Sequence, residues 1–459
     1  MSGPIDVVAD RLQTHVSAFV KEKRLPGAAV GVVHRGELVW STGVGFVDVD
    51  AGRVPDTRTL YRVASITKTF TATCIMQLRD KGSLQLDDPV VTYLPELNNS
   101  SNPFGPIENV TLRRLLSHES GLMSEPPGTD FTAGKYEGVA APNLADASRI
   151  AVAVPANSQQ KYSNLAYQLL GEVVARFAGQ PYVDHLRKMI LDPLGMSSTV
   201  FNPLPDSDKH RCATGYQGRW LTDVLTKSQP PIDFIAEGGL WSCVEDLAKW
   251  LAFQTRLDGE RPDEEAVLAS PTRREMQKPR YLMDDTWSQA FGIGWYAIRK
   301  DEATWVQHSG GDRGFITNVC FDPKSGVGAI VLFNGAGVAS ALSMEIAEIA
   351  RAAAAASPAT IKASAAMPAE YGEYLGLYLE RDFGDLLRLE WRDDQLTLID
   401  TTDPTWHRIL KPTDDPNGYV VERGFRESGE VVAFRRNDEA RVKSMAFGGG
   451  TLYRLDSVD

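Results

Sequence analysis

The chain has 459 residues, length enough for two to three domains with separate cores, and its composition is that of a globular protein. Its formal net charge of -12, with no basic stripe to offset it, would repel a phosphate backbone, so no nucleic-acid partner is expected. No window approaches the roughly 18 apolar residues of a membrane span, so no membrane partner is expected either.

The first stretch, "MSGPIDVVADRLQTHVSAFV", lacks a basic leader followed by an apolar block and a small-residue cleavage site, and is not read as a secretory signal. Residues 27–46 hold two β-rich runs around Arg35-Gly36, a hairpin with its turn glycine in place. From Ser65 the pattern turns helical, with Ile66, Phe70, Cys74, Ile75 and Leu78 at three- and four-residue spacing until Lys81-Gly82. The middle, about 84–225, mixes helical segments with loops bearing proline and glycine. Its clearest helix is "SNLAYQLLGEVVARFAGQ", with Leu165, Leu169, Leu170, Val173, Val174 and Phe177 on one face and Gly179 at its end.

"TWVQHSGG", "FITNVCFDP" and "VGAIVLFN" read as an antiparallel meander, and "SALSMEIAEIARAAAAA" as the helix that closes it. A small-residue, proline-bearing stretch at 351–370 has the composition of a linker. Beyond it, "LLRLEW", "QLTLID", "GYVVER", "VVAFRR", "VKSMAF" and "TLYRL" are short strands with turn residues between them, as in a small antiparallel barrel over 371–459. Cys74, Cys212, Cys243 and Cys320 are scattered, with no CxxC pair and no histidine at ligand spacing. They read as buried thiols in a reducing cytoplasm; neither a metal nor another cofactor is expected.

One short pattern carries chemistry. In "RVASITKTF" a serine and a lysine stand three residues apart where an extended segment enters a helix, which puts the Ser65 hydroxyl beside unpaired N–H groups and the Lys68 amine within reach of it. A serine hydroxyl is a weak nucleophile at neutral pH, and an amine of lowered pKa beside it can take its proton. The bland alternative is an N-cap serine followed by a surface lysine. A second match, Ser158 to Lys161 in "PANSQQKYSN", follows a proline in a polar turn and is read as solvated loop. No GxSxG elbow occurs, so an α/β-hydrolase has no nucleophile here.

The chain resembles the serine β-lactamase and penicillin-binding-protein-like family, in particular its class C, esterase and D-aminopeptidase branch, over about residues 10–350. "RVASITKTFTA" looks like the nucleophile helix, "YSN" at Tyr162 to Asn164 like the Tyr-x-Asn element, and "HSGG" at His308 to Gly311 like the Lys-Thr-Gly strand. "LDDPVVTYLPE", "LLSHESGL", "DPLGMSST" and "EGGLWSCVEDLAKW" are similar to connecting signatures of that family and stand in the expected order. The resemblance implies an α/β (α+β) catalytic domain over 1–350, an antiparallel sheet flanked by helices with a helical subdomain forming the other wall of a cleft. The C-terminal barrel then resembles a lipocalin-like appendage.

The resemblance also implies roles. Ser65 would form an acyl-enzyme, with Lys68 accepting or shuttling its proton. Tyr162, its pKa lowered by Lys68, would be a general base for attack and for the deacylating water. Asn164 would orient Lys68 and the substrate, and the N–H groups of Ser65 and Gly311 would hold the oxyanion on the strand that carries His308, Ser309 and Gly310. His308 departs from the family's lysine. A histidine would tune Tyr162 but hold a substrate carboxylate less firmly, which speaks against penicillins and peptidoglycan. His118 is read as structural. The expected activity is serine hydrolysis of small esters or amides. The alternatives are a D-amino-acid-specific peptidase, a β-lactamase, a transacylase, or a non-catalytic binding protein on the same fold. A homo-oligomer is left open, and the walls formed by loops such as "SEPPGTDFTAGKYEG" are not placed.

Overall fold

Strands β1 (Gly27–His34) and β2 (Glu37–Gly45) form the hairpin expected at Arg35-Gly36, whose φ values of 50° and 81° match a turn with both central residues left-handed. The computed structural model describes residues 5–129, 144–202, 204–217, 225–228, 235–256, 262–300, 303–356, 367–380, 386–392, 395–400, 407–423, 429–447 and 450–455. The chain divides into two compact units, Met1–Ala355 and Ala356–Asp459.

In the first unit the hairpin joins β3 (Tyr281–Leu282), β4 (Gln289–Phe291), β5 (Tyr296–Lys300), β6 (Ala303–Asp312), β7 (Phe315–Asp322) and β8 (Val327–Phe333). They make one eight-stranded sheet in the order β2-β1-β8-β7-β6-β5-β4-β3, with neighbours antiparallel. β1 and β8 are buried at every position because both faces of the sheet are covered.

On one face, Leu12, Val16 and Val20 of helix α1 (Ala9–Glu22) and Leu342, Ile346 and Ala350 of the C-terminal helix (Ala339–Ala355) pack on Val30, Val32, Ala329 and Val331. On the other face, Ala29, Val33, Ile330 and Leu332 meet a larger cluster that includes Phe70, Leu247, Trp250 and Leu251. That cluster continues into the helical part of the unit. Burial of this many aliphatic side chains, at roughly 1.5–3 kcal/mol each, is what orders the sheet.

Helix α2 (Thr67–Asp80) runs through this second layer and is buried on every side from Thr67 to Leu78. Its polar residues therefore need partners inside. Thr69 and Thr73 donate back to the carbonyls of Ile66 and Thr69 at 2.8 and 2.9 Å, Thr71 to that of Ala236 at 2.5 Å, and Gln77 to that of Val267 at 2.7 Å. Trp250 stacks on Phe70 at 3.9 Å. Sequence periodicity marked only one face of α2. The threonines are what allow the other faces to be buried too.

Helix α3 (Asn164–Ala178) starts at Ser163, whose Oγ accepts the Ala166 N–H at 3.0 Å, and ends at Gly179 with φ 62°. Leu165, Leu169, Leu170, Val173 and Val174 are buried as expected. Phe177 is not: it is 39% exposed and tilts against Tyr93. The helix that begins at Ala339 is α5, following α4 (Val244–Thr255), and it continues to Ala355, inside the stretch read as linker.

The second unit is a closed barrel of eight antiparallel strands, β9 (Gly376–Glu380), β10 (Leu386–Arg392), β11 (Gln395–Asp400), β12 (His407–Pro412), β13 (Gly418–Arg423), β14 (Val431–Arg436), β15 (Val442–Phe447) and β16 (Gly450–Arg454). β16 returns to β9 through Tyr378 and Arg454. Tyr374, Tyr378, Leu389, Leu398, Tyr419, Phe434 and Met445 form its core, as expected for eight strands with an interior about one side chain wide. β9 and β12 were not among the strands expected.

Candidate active site

β5 pairs with β6 only as far as Gln307, opposite Tyr296, so His308 to Asp312 continue past the end of that neighbour. A tight turn at Ala64–Ile66 docks against this stretch of β6. The approach is close enough to dictate glycine at 310: a Cβ there would lie 2.0 Å from the Val63 carbonyl oxygen and 2.5 Å from Thr317 Oγ1. Thr317 donates to the same carbonyl at 3.2 Å. The buried guanidinium of Arg62 ties the approach to the turn to the end of β6 and to the segment at Gly239, with Nε 3.1 Å from Asp312 and Nη1 donating to the Gly239 carbonyl at 2.8 Å. Ala64, next to Ser65, is held at φ 46°, a left-handed conformation costing a non-glycine residue about 1–3 kcal/mol.

This close fit makes a prediction. Gly310→Ala is expected to destabilise the fold by about 1–3 kcal/mol through overpacking and to displace the turn that carries Ser65. Gly311→Ala, whose Cβ meets only Ile316 Cδ1 at 3.5 Å, is expected to unfold within about 0.5 kcal/mol of the parent. Denaturant titration of both variants checks the contrast; equal costs would contradict it.

Lys68 is fully buried, and its Nζ has three neighbours: Ser65 Oγ at 3.1 Å, Asn164 Oδ1 at 2.7 Å and the Glu237 carbonyl oxygen at 2.6 Å. Burial lowers its pKa to about 7, against the opposing pull of the Glu237 and Glu125 carboxylates. A neutral amine has two hydrogens and one lone pair. The two shorter contacts are to oxygens that can only accept, so they take the hydrogens, and the lone pair is left for the Ser65 hydroxyl. Asn164 is fixed in this orientation by its other end, where Nδ2 donates to Glu125 Oε1 at 2.6 Å.

Tyr162 enters from the loop before α3. Its ring lies 5.0 Å from Lys68 Nζ and 4.2 Å from the His118 ring, and its phenol is hydrogen-bonded with Ser65. The expected lowering of its pKa is reversed. Burial raises it, the Ser65 hydrogen bond opposes only in part, and Glu125 and Glu237 add to the rise. Tyr162 is therefore a phenol, a donor of its proton, and Lys68 is the group poised near neutrality.

His308 is 1% exposed, and its Nδ1 lies 2.7 Å from the Ser309 carbonyl, so Nδ1 carries the proton. Burial, with Lys68 nearby, lowers its pKa to about 3. It is a neutral side chain throughout the working range. Ser65, Tyr162, His308, Ser309, Gly310 and Gly311 line one cavity of about 560 Å³, completed by Tyr296, Gln289, Gln307 and the start of α5. The structure thus brings together every site residue expected, with Lys68 and Asn164 behind the cavity wall.

Sequence reasoning missed Glu125 and Glu237, although both lie in or beside quoted signatures, and mistook Lys161 for a solvated residue. Its Nζ donates to Ser124 Oγ at 2.8 Å and its N–H to the His118 carbonyl at 2.7 Å, while Ser158 turns to the Pro155 carbonyl. Part of the "SEPPGTDFTAGKYEG" loop, within 130–143, lies outside the described residues.

A serine and a buried lysine at a helix entrance, a Tyr-x-Asn element and a glycine-bearing strand around one cavity define the class. Residues 12–354 match the family model described as Beta-lactamase, and the chain belongs to that family. Protein flp of Staphylococcus aureus (strain MRSA252) is 26% identical over 328 residues, 71% of this chain and 62% of that protein. Beta-lactamase-like protein 2 of Dictyostelium discoideum is 31% identical over 274 residues, 58% of this chain and 48% of that one. The aligned region thus spans less than two thirds of either relative. Among solved structures, the octameric penicillin-binding protein homologue from Pyrococcus abyssi is 23% identical with a TM-score of 0.64, covering 97% of this chain and 99% of that one. A class C β-lactamase from Rhodobacter sphaeroides is 22% identical with a TM-score of 0.60, covering 74% and 98%. At these identities the structural likeness is one of fold.

Proposed function

We propose that this protein is a serine hydrolase that acts through an acyl-enzyme on Ser65, with small, uncharged carboxylic esters or amides as substrates. The observation that carries the reading is the placement of Lys68: buried, tuned to about pH 7, and with its lone pair free for the Ser65 hydroxyl 3.1 Å away.

In acylation Lys68 accepts the Ser65 proton as Oγ attacks the carbonyl carbon, and the N–H groups of Ser65 and Gly311 receive the oxyanion. The ammonium then keeps its hydrogen bonds to Asn164 and Glu237 and returns a proton through the Tyr162 phenol to the leaving alkoxide or amine. Water takes the leaving group's place, and Lys68 serves again as base for deacylation. A reducing cytoplasm is part of the proposal, supported by four free cysteines. Assembly into several copies also belongs to it, supported by the octameric homologue. Among the described residues no helix is long and apolar enough to cross a membrane.

Substrate class follows from charge. Among the described residues none that lines the cavity carries a charge once His308 is neutral, so a substrate carboxylate would leave water with no described group to pair it. Uncharged p-nitrophenyl esters are expected to turn over at least about 100-fold faster in kcat/KM than nitrocefin or a D-alanyl-D-alanine peptide. That factor is on the scale of one unpaired buried charge. Nitrocefin turnover within tenfold of the best ester would overturn the assignment of substrate class.

A second reading, hydrolysis of D-aminoacyl amides, draws on Glu125. Its Oε2 is buried and, among the described residues, without a hydrogen-bond partner, while Oε1 holds Asn164 behind the cavity wall; a substrate ammonium that reached it would find an unused acceptor. D-aminoacyl anilides compared with their N-acetylated forms separate the two readings: preference for the free amine supports the second.

A further inference from the structure

His118 is fully buried, and three features make it expensive to keep. Its backbone is left-handed at φ 59°, where glycine or asparagine would sit with less strain. Its Nδ1 accepts the Ser163 N–H at 3.2 Å, which puts the ring proton on Nε2, and that donor has no hydrogen-bond partner among the described residues. Burial also holds the imidazole neutral. An aliphatic side chain would avoid the last two costs.

Three of the contacts of this residue converge on the segment 161–163. Its carbonyl accepts the Lys161 N–H at 2.7 Å and its ring nitrogen the Ser163 N–H, so hydrogen bonds grip the chain on both sides of position 162. Between them its ring lies on the ring of Tyr162, with centroids 4.2 Å apart and planes at 36°. Tyr167 and Phe291 back the imidazole at 5.1 and 5.0 Å, leaving it little freedom to move.

We propose that His118 is a positioning residue for the reaction: it clamps residues 161 to 163 and sets the Tyr162 ring so that the phenol meets Ser65. This rests on the acyl-enzyme reading above. The phenol has to reach Ser65 while its ring faces Lys68 at 5.0 Å, and displacement of a reacting group by about 1 Å costs on the order of 100-fold in rate. Conformational strain of this kind is retained where it fixes a functional geometry.

The test is the rate of Ser65 labelling by an uncharged fluorophosphonate, resolved into kinact and KI. His118→Ala is expected to lower kinact about 30-fold with KI within twofold. His118→Asn, which keeps a carbonyl acceptor and tolerates the left-handed backbone, is expected to recover at least a third of the parent kinact. In a Tyr162→Phe background, which keeps the ring and lacks the hydroxyl, either His118 substitution should cost less than threefold, because the group it positions is gone. His118→Asn is read by the same comparison if the alanine variant does not fold. An equal cost in both backgrounds, or a rise in KI with kinact unchanged, would overturn the proposal. Absence of Ser65 labelling in the parent protein would instead bring down the acyl-enzyme reading, and this inference with it.

Discussion

Ser65→Ala is expected to lower kcat/KM for an uncharged p-nitrophenyl ester by on the order of 10⁴-fold and to abolish fluorophosphonate labelling. Among the described residues no other hydroxyl lining the cavity has the same support. Ser309 accepts from Asn318 at 2.7 Å, in a network that continues to Ser343, and no amine among the described residues is hydrogen-bonded to it. The chain does hold a second serine–lysine contact, Ser124 with Lys161, but neither residue lines the cavity. The alanine variant therefore asks which pair acts. Labelling that survives at Ser124 or Ser309 would assign the chemistry elsewhere.

Lys68→Met is expected to cost about 10³-fold in acylation, within the range for loss of a general base, and to remove the acid limb of the pH profile. Methionine nearly matches the length of lysine without its amine, so the cavity wall stays while the Asn164 amide and the Glu237 carbonyl lose a donor. The same substitution has a signature in stability. An unfolded lysine titrates near 10.4, and the buried one near 7. Between those values the unfolded chain binds a proton that the folded chain does not, so parent stability rises with pH from about 7 to about 10.4. Denaturant titrations at several pH values should show that rise in the parent and its loss in the methionine variant. A parallel pH dependence in both would mean that Lys68 is charged in the folded protein.

Much of the fold is written in local pattern, and the exceptions have physical causes. The hairpin at Arg35-Gly36, the last three strands of the sheet and α3 each carry a period long enough to read. β3, β4 and β5 are two, three and five residues long, too short for an alternating period to stand out, so no window of their own marks them. Within the barrel β9 and β12 were hidden for the same reason, one after a proline-bearing stretch and the other cut short by Pro412.

At the site, the residue types and their grouping were legible from the resemblance, but the charge states were not. A phenol beside a lysine looks like a candidate base on paper. Which of the two gives up its proton depends on how deeply α2 is buried, and that is decided by Thr69, Thr71 and Thr73 satisfying themselves inside the core. Likewise His308 reads from sequence as a group charged or neutral around pH 7. Only its burial, with Lys68 nearby, shows it to be neutral, against the opposing pull of the Ser309 carbonyl.

The pH dependence of Ser65 acylation tests the role of Lys68 most directly, with an uncharged fluorophosphonate used from pH 5 to 9 so that the reagent itself does not titrate. The second-order rate constant should climb tenfold per pH unit below about 7 and level off above it, as the buried amine loses its proton. A flat profile, or a rate still climbing at pH 9, would show that the amine at position 68 is not the base.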